Sequence, residues 1–250
     1  MNGIVKIRST GSSLPLQIFL CLIFFSFATA NTNEQTELLK YEVTWNGSRA
    51  GHGDITTKAN SGKVSVTAQA VSDGALKSLI EIWSRIQATF SAKTLLPESY
   101  RFHLKSNWLR TEVVDLNFDH QSQTVRINKL KGDESESHSE KVTGIYDPIT
   151  AVFMLRNQKN FSKPMYVDIF DGKDKARLYV NPVGQEQISI KSGDFKALRM
   201  DLRLVKLTGD KKEIATGKLW VSSDERKIPL LLTSSPVVGP IRFELVHAQL

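Results

Sequence analysis

Cysteine is almost missing from this chain: Cys21 is the one thiol in 250 residues. That excludes a disulfide scaffold and a cysteine-rich zinc site. There is no G-x-S-x-G elbow, H-E-x-x-H pair, phosphate loop or dinucleotide fingerprint. The regular alternation of strands and helices found in nucleotide-binding α/β folds is also missing. Apolar residues make up 40% and charged residues 24%, an ordinary globular balance that is neither disordered nor collagen-like. Basic residues exceed acidic ones by 33 to 26, a formal charge of +7. Composition names no activity and calls for no cofactor or metal.

The longest apolar run lies at the start. Lys6 and Arg8 precede residues 14–27, and the run ends in Ala28-Thr29-Ala30. That order predicts a secretory signal peptide over residues 1–30, cleaved after Ala30. An uncleaved anchor is the alternative, but a span needs about 20 consecutive apolar residues, and this run is broken by Pro15 and Gln17. Cys21 is a poor lipid-attachment site, because Phe19-Leu20 precede it and it lies in mid-run. Cleavage would leave 220 residues with 31 basic and 26 acidic side chains, a net +5 and no cysteine. Such a chain is stabilised by core burial alone, and at this size roughly 70–75% of its unfolded surface can be buried.

The mature part reads as one β-rich domain over residues 31–250, with residues 31–37 as a loose tail. Apolar side chains take every second place in Leu198-Arg199-Met200-Asp201-Leu202-Arg203-Leu204, and again in Val64-Ser65-Val66-Thr67-Ala68, Val114-Asp115-Leu116-Asn117-Phe118 and Ile241-Arg242-Phe243-Glu244-Leu245. Period two puts one face of a strand inside and the other in water. Turn signals at Asn46-Gly47, Asn60-Ser61-Gly62, Asp119-His120-Gln121, Asp171-Gly172, Lys191-Ser192-Gly193 and Gly209-Asp210 separate the strands, the rhythm of an up-and-down sheet. Two segments read as helices. Residues 73–83 place Leu76, Leu79, Ile80 and Trp83 on one face, with Ser72 or Asp73 as cap. Residues 147–156 open with the cap and proline Asp147-Pro148. The expected fold is therefore mainly β: a strongly curved antiparallel sheet or open barrel with two short helices packed on its concave face.

Candidate chemistry is sparse. In Gly51-His52-Gly53-Asp54 a base and an acidic partner are imaginable, but the offset is unspecific, and glycines that let a strand twist with His52 half exposed are the preferred explanation. The acidic run Asp133-Glu134-Ser135-Glu136-Ser137-His138-Ser139-Glu140 offers oxygen ligands without the glycine-ordered spacing of a calcium loop, and reads as a solvated hairpin loop. Arg199, Arg203, Lys206, Lys211, Lys212 and Lys218 predict a positive outer face. Nucleic acid is not an expected partner, since stacking aromatics do not interleave with these cations. Trp83, Trp108, Phe118, Phe153, Leu155 and Arg156 are the candidate ligand-binding residues, lining an apolar pocket beneath the second helix. Filling of a solid core is the more economical explanation of the apolar members.

Several segments carry a family resemblance. They are Tyr41-Glu42-Val43-Thr44-Trp45-Asn46-Gly47 with Ala50-Gly51, then Thr94-Leu95-Leu96-Pro97, then Tyr146-Asp147-Pro148-Ile149-Thr150-Ala151 through Leu155-Arg156. Phe170-Asp171-Gly172-Lys173 and a closing strand after Gly239 complete the set. In this order they resemble the exported bacterial domain-of-unknown-function family 3108. The resemblance implies a periplasmic location and transfers no catalytic residues. The expected curved sheet also looks like the fold of periplasmic lipoprotein carriers, an architectural analogy. The leading expectation is a non-enzymatic binding or carrier protein for a lipid or other amphipathic ligand. An envelope protein that recognises or assembles with another protein is the second, and a hydrolase the third. No membrane-spanning segment is expected after cleavage.

Overall fold

The computed structural model describes residues 35–158, 161–209, 212–235 and 239–250. The signal-peptide expectation and most of the loose tail therefore fall outside the described residues. Fourteen strands follow one another: β1 (Gln35–Trp45), β2 (Ser48–Asn60), β3 (Lys63–Ser72), β4 (Ile82–Ser91), β5 (Pro97–Ser106), β6 (Glu112–Asp119), β7 (Thr124–Lys131), β8 (Glu134–Lys141), β9 (Met165–Phe170), β10 (Lys175–Ile190), β11 (Gly193–Lys206), β12 (Glu213–Ser222), β13 (Pro229–Ser234) and β14 (Ile241–Gln249). Helix α1 (Gly74–Leu79) lies between β3 and β4, and α2 (Pro148–Arg156) between β8 and β9.

All fourteen strands join one antiparallel sheet in the order β8-β7-β6-β5-β4-β3-β2-β1-β14-β13-β12-β11-β10-β9. The fold is mainly β, as the alternation predicts. Every neighbour is a sequence neighbour except β1 and β14, which pair in mid-sheet through Tyr41↔Leu245 and Val43↔Phe243. The meander is thus cut between β8 and β9, the two edges, and α2 spans the cut. Asn46-Gly47 and Ser61-Gly62 carry positive φ, from 49° to 80°, the geometry that tight hairpins require.

The edges approach without pairing. Lys175 of β10 forms an ion pair with Glu140 of β8 at 3.6 Å. In the β9–β10 turn, Gly172 has φ 92°, and a Cβ there would meet Val114 Cγ1 of β6 at 2.5 Å. A glycine is needed for that close contact. Tyr146, just ahead of α2, caps part of the β9 edge: its N–H donates to the Asp168 carbonyl at 3.0 Å, and its carbonyl accepts from Phe170 N–H at 2.8 Å. The result is an open, barrel-like sheet.

Helix α2 is enclosed by that sheet. Asp147 caps it, accepting from the N–H groups of Ile149 and Thr150, and Pro148 occupies the first turn, where its missing N–H costs nothing. Pro148 through Phe153, Leu155 and Arg156 are all buried, so the helix is covered all round rather than on one face. It packs against both β4 and β9, strands from opposite halves of the sheet, and Phe153 meets Phe90 of β4 with ring centroids 4.8 Å apart.

Two expectations need correction. The first helix is six residues long, and Trp83 lies in β4 instead, paired with Val71 and Lys105. Ser84, Ile86, Ala88 and Phe90 alternate inward from there, so period two outweighed the helical spacing. The Asp73 N–H bonds the Ala50 carbonyl of β2 at 3.0 Å, and nothing places α1 beside α2 on a concave face. The acidic run is likewise not a loop: Glu134–Lys141 is the edge strand β8, paired residue for residue with β7. Residues 35–37 of the expected tail also belong to β1.

Three carboxyl groups are buried with the helix. Burial pushes Glu37 up to about 7 against the pull of Arg156 and Arg226. It lifts Asp147 and Asp171 to about 6, although hydrogen bonds oppose it in both. The native state therefore holds these protons more tightly than the unfolded chain. The stability they contribute is fully present below about pH 4 and is lost as pH rises through 6 to 7. Scanning fluorimetry is expected to show the melting temperature falling between about pH 4 and 7, with a shallower fall for Glu37→Gln; an unchanged slope in that variant would remove Glu37 from the account. Asp147→Ala is expected to lower the unfolding free energy by about 1–2 kcal/mol in urea titration, and Asp147→Asn to retain most of it.

Candidate functional site

The C-terminal turn of α2 carries the densest mixture of charge and apolar surface in the interior. Arg156 is 3% exposed, and its Nη2 donates to the Arg226 carbonyl. Burial pulls its guanidinium down to about 10, with Glu37 and Tyr41 pulling the other way. Glu37 and Tyr41 reach this end from β1, where Glu37, Leu39 and Tyr41 share the inward parity and are all buried. Tyr41 Oη donates to the Pro229 carbonyl at 2.9 Å, which ties β1 to the start of β13.

Beside Arg156 is a narrow cavity of about 20 Å³, room for roughly one water molecule. Its wall consists of alternate residues from three adjacent strands: Leu178 and Val180 of β10, Met200 and Leu202 of β11, and Leu219 and Val221 of β12. Leu155 and Phe161 complete the apolar lining, and Arg156 and Lys227 provide two cations. Lys227 Nζ is held by the carbonyls of Ser223 and Asp224, at 3.0 and 2.6 Å.

The six candidate residues occupy different places. Leu155 and Arg156 line the cavity. Phe153 is buried one turn earlier against Phe90. Phe118 is partly buried near the end of β6, its ring parallel to that of His120 at 6.3 Å. Trp83 lies edge-on to His103 at 5.0 Å, with Lys105 Nζ 5.5 Å from its ring centre. Trp108 is 75% exposed in the turn after β5. Sequence reading missed Glu37, Phe161, Lys227 and the strand residues of the wall. The parity of Glu37 with Leu39 and Tyr41 was the available signal for the first of these.

The remaining motifs resolve as surface structure. His52 Nδ1 lies 2.8 Å from Asp73 Oδ2, so its acidic neighbour is Asp73 and not Asp54. Asp73 also receives Arg49 Nε and Nη2, at 3.0 and 2.9 Å, and these bonds draw its carboxyl down to about 2. Gly51 allows the crowding here, since a Cβ would lie 2.2 Å from the Val71 carbonyl. Among the described residues, no three His, Cys, Asp or Glu side chains come together to hold a metal ion. On the outer face Arg199 meets Glu186 and Asp201, at 3.6 and 3.7 Å, whereas Lys206, which shares the parity of Leu202 and Leu204, meets the buried Asp174 at 2.8 Å. Arg203 stacks 4.5 Å from the Tyr179 ring centre. A shallow groove of about 700 Å³ crosses β10 to β13 on this side, between the rows led by Tyr179 and Asn181.

One solved bacterial protein shares this barrel-like architecture. A β-barrel-like protein of the DUF1849 domain of unknown function from Brucella abortus superposes with a TM-score of 0.60 at 12% identity, over 86% of this chain and 97% of that one. A Bacteroides fragilis protein with a YmcC-like fold gives 0.40 at 10% identity, over 90% and 99%. No curated protein matches the sequence. The family model for the protein of unknown function DUF3108 matches residues 40–246, from the middle of β1 into β14, and the chain belongs to that family.

Proposed function

We propose that this is a non-enzymatic binding or carrier protein of the periplasm, working as one β-rich unit, for an anionic single-chain amphiphile. The observation that carries this reading is the convergence of Arg156 and Lys227 on an otherwise apolar wall built by β10, β11 and β12 beside the end of α2. The head group would meet the two cations, and the chain would lie along Leu178, Met200 and Leu219. At about 20 Å³ the cavity is a closed form, since ligand pockets of this kind typically hold about 300–1,000 Å³. Loading therefore requires α2 and Phe161 to move off the wall. The alternative of an envelope assembly factor would use a free sheet edge. Glu134, Glu136, Glu140 and Lys141 along β8 are the charges that blunt such pairing.

Titration with a fluorescent fatty acid, and native mass spectrometry of protein purified from its own periplasm, test the reading. One equivalent of anionic amphiphile is expected, with Lys227→Gln weakening binding about fivefold, in keeping with the loss of one charge-assisted contact. No bound lipid and no response to the probe would overturn it.

A further inference from the structure

The β5–β6 turn presents the most exposed large apolar side chain of the described residues, Trp108 at 75%, with Leu109 beside it at 46%. The cavity and the helix leave this pair unused. We propose that it seats the protein on a lipid bilayer, with the indole and the leucine in the headgroup layer and the neighbouring cations on anionic headgroups.

The turn is held from both sides, so the pair is presented rather than left to fold back. On one flank Asn107 N–H donates to the Glu81 carbonyl at 3.2 Å, and Asn107 Oδ1 accepts from Glu81 N–H at 2.9 Å. On the other, Gly132 N–H donates to the Thr111 carbonyl at 2.9 Å. Trp108 N–H itself donates to Ser106 Oγ at 3.1 Å. A pre-formed tip loses little conformational freedom on docking.

Size and charge select the occupant. Two side chains at a tip are far less than the roughly 800 Å² that each partner of a stable protein–protein complex buries, whereas an indole with a polar N–H and a broad apolar body is suited to the membrane–water interface. Cations lie on the flanking strands, Lys105 near the end of β5 and Lys131 at the end of β7, where Glu112 and Glu134 stand opposite it in the sheet register. Lys105 and Lys131 are exposed, and neither forms an ion pair among the described residues; Arg110 shares its charge with Glu134 at 3.1 Å. Lysines beside an inserted aromatic add attraction to anionic headgroups that salt weakens.

The test is co-flotation of the full mature chain with vesicles of phosphatidylcholine alone, or of an equal mixture with phosphatidylglycerol, alongside tryptophan emission. The wild type is expected to float with the mixed vesicles, with a blue-shifted emission protected from acrylamide. Trp108→Ala is expected to lower partitioning about tenfold and abolish the shift, with Trp108→Phe recovering part of the binding. Lys105→Gln with Lys131→Gln is expected to remove most of the preference for the mixed vesicles. All variants keep the wild-type melting temperature, because these side chains lie outside the core. A wild type that stays in the soluble fraction, or a Trp108→Ala variant that floats as well as wild type, overturns the proposal. Neither result touches the cavity, which the fatty-acid titration reads independently.

Discussion

Enclosing a helix that is buried at every position but one is the constraint on which the rest of this structure depends. From Pro148 to Arg156 only Met154 is partly exposed, so burial must come from both halves of the sheet, and the helix touches β4 and β9 together. Because the chain passes through this helix on its way from β8 to β9, those two strands cannot close on each other as a hairpin. The sheet curls around the helix and stops short of a barrel. The gap is spanned by side chains and a single bridge: Lys175 to Glu140, the Gly172 turn on Val114, and Tyr146 on the edge of β9.

The same constraint concentrates ionisable groups where the helix ends. A helix that runs through the interior brings its own last side chain with it, and here that is Arg156. Glu37 is the inward residue of β1 that meets it, and the two perturb each other through an environment with little water. Asp147 at the opposite end is buried as well, since a cap inside a sheet has nowhere else to go. Polar groups inside this sheet are therefore a consequence of its plug, and the cation-bearing cavity follows from the same placement.

Much of this was legible in the residues. Alternation in segments such as Leu198 to Leu204 reports which face is inward, because a strand reverses its side chains at every step. The Asp147-Pro148 pair marks the start of α2 for an equally local reason, the satisfaction of free N–H groups. Where the reading failed, two local patterns competed or none applied. Trp83 satisfied helical spacing with Leu76 and Leu79, yet pairing with β3 and β5 recruited it into a strand. The run Asp133 to Glu140 has no apolar alternation at all, and β8 forms there because β7 offers a free edge.

The sequence by itself determined the strand rhythm, the tight hairpins, the capped helix and the membership of a family without an assigned activity, because each depends on neighbours a few residues apart. The tertiary structure alone decided which strands became edges and that the helix would be wrapped. It brought Arg156 opposite Glu37 and Lys227, 119 and 71 residues away in the chain. It also separated Trp108 from the interior residues with which its apolar character groups it, and left it at a turn facing solvent. Those outcomes depend on how fourteen strands close around one buried element, and no short stretch of residues encodes such a closure.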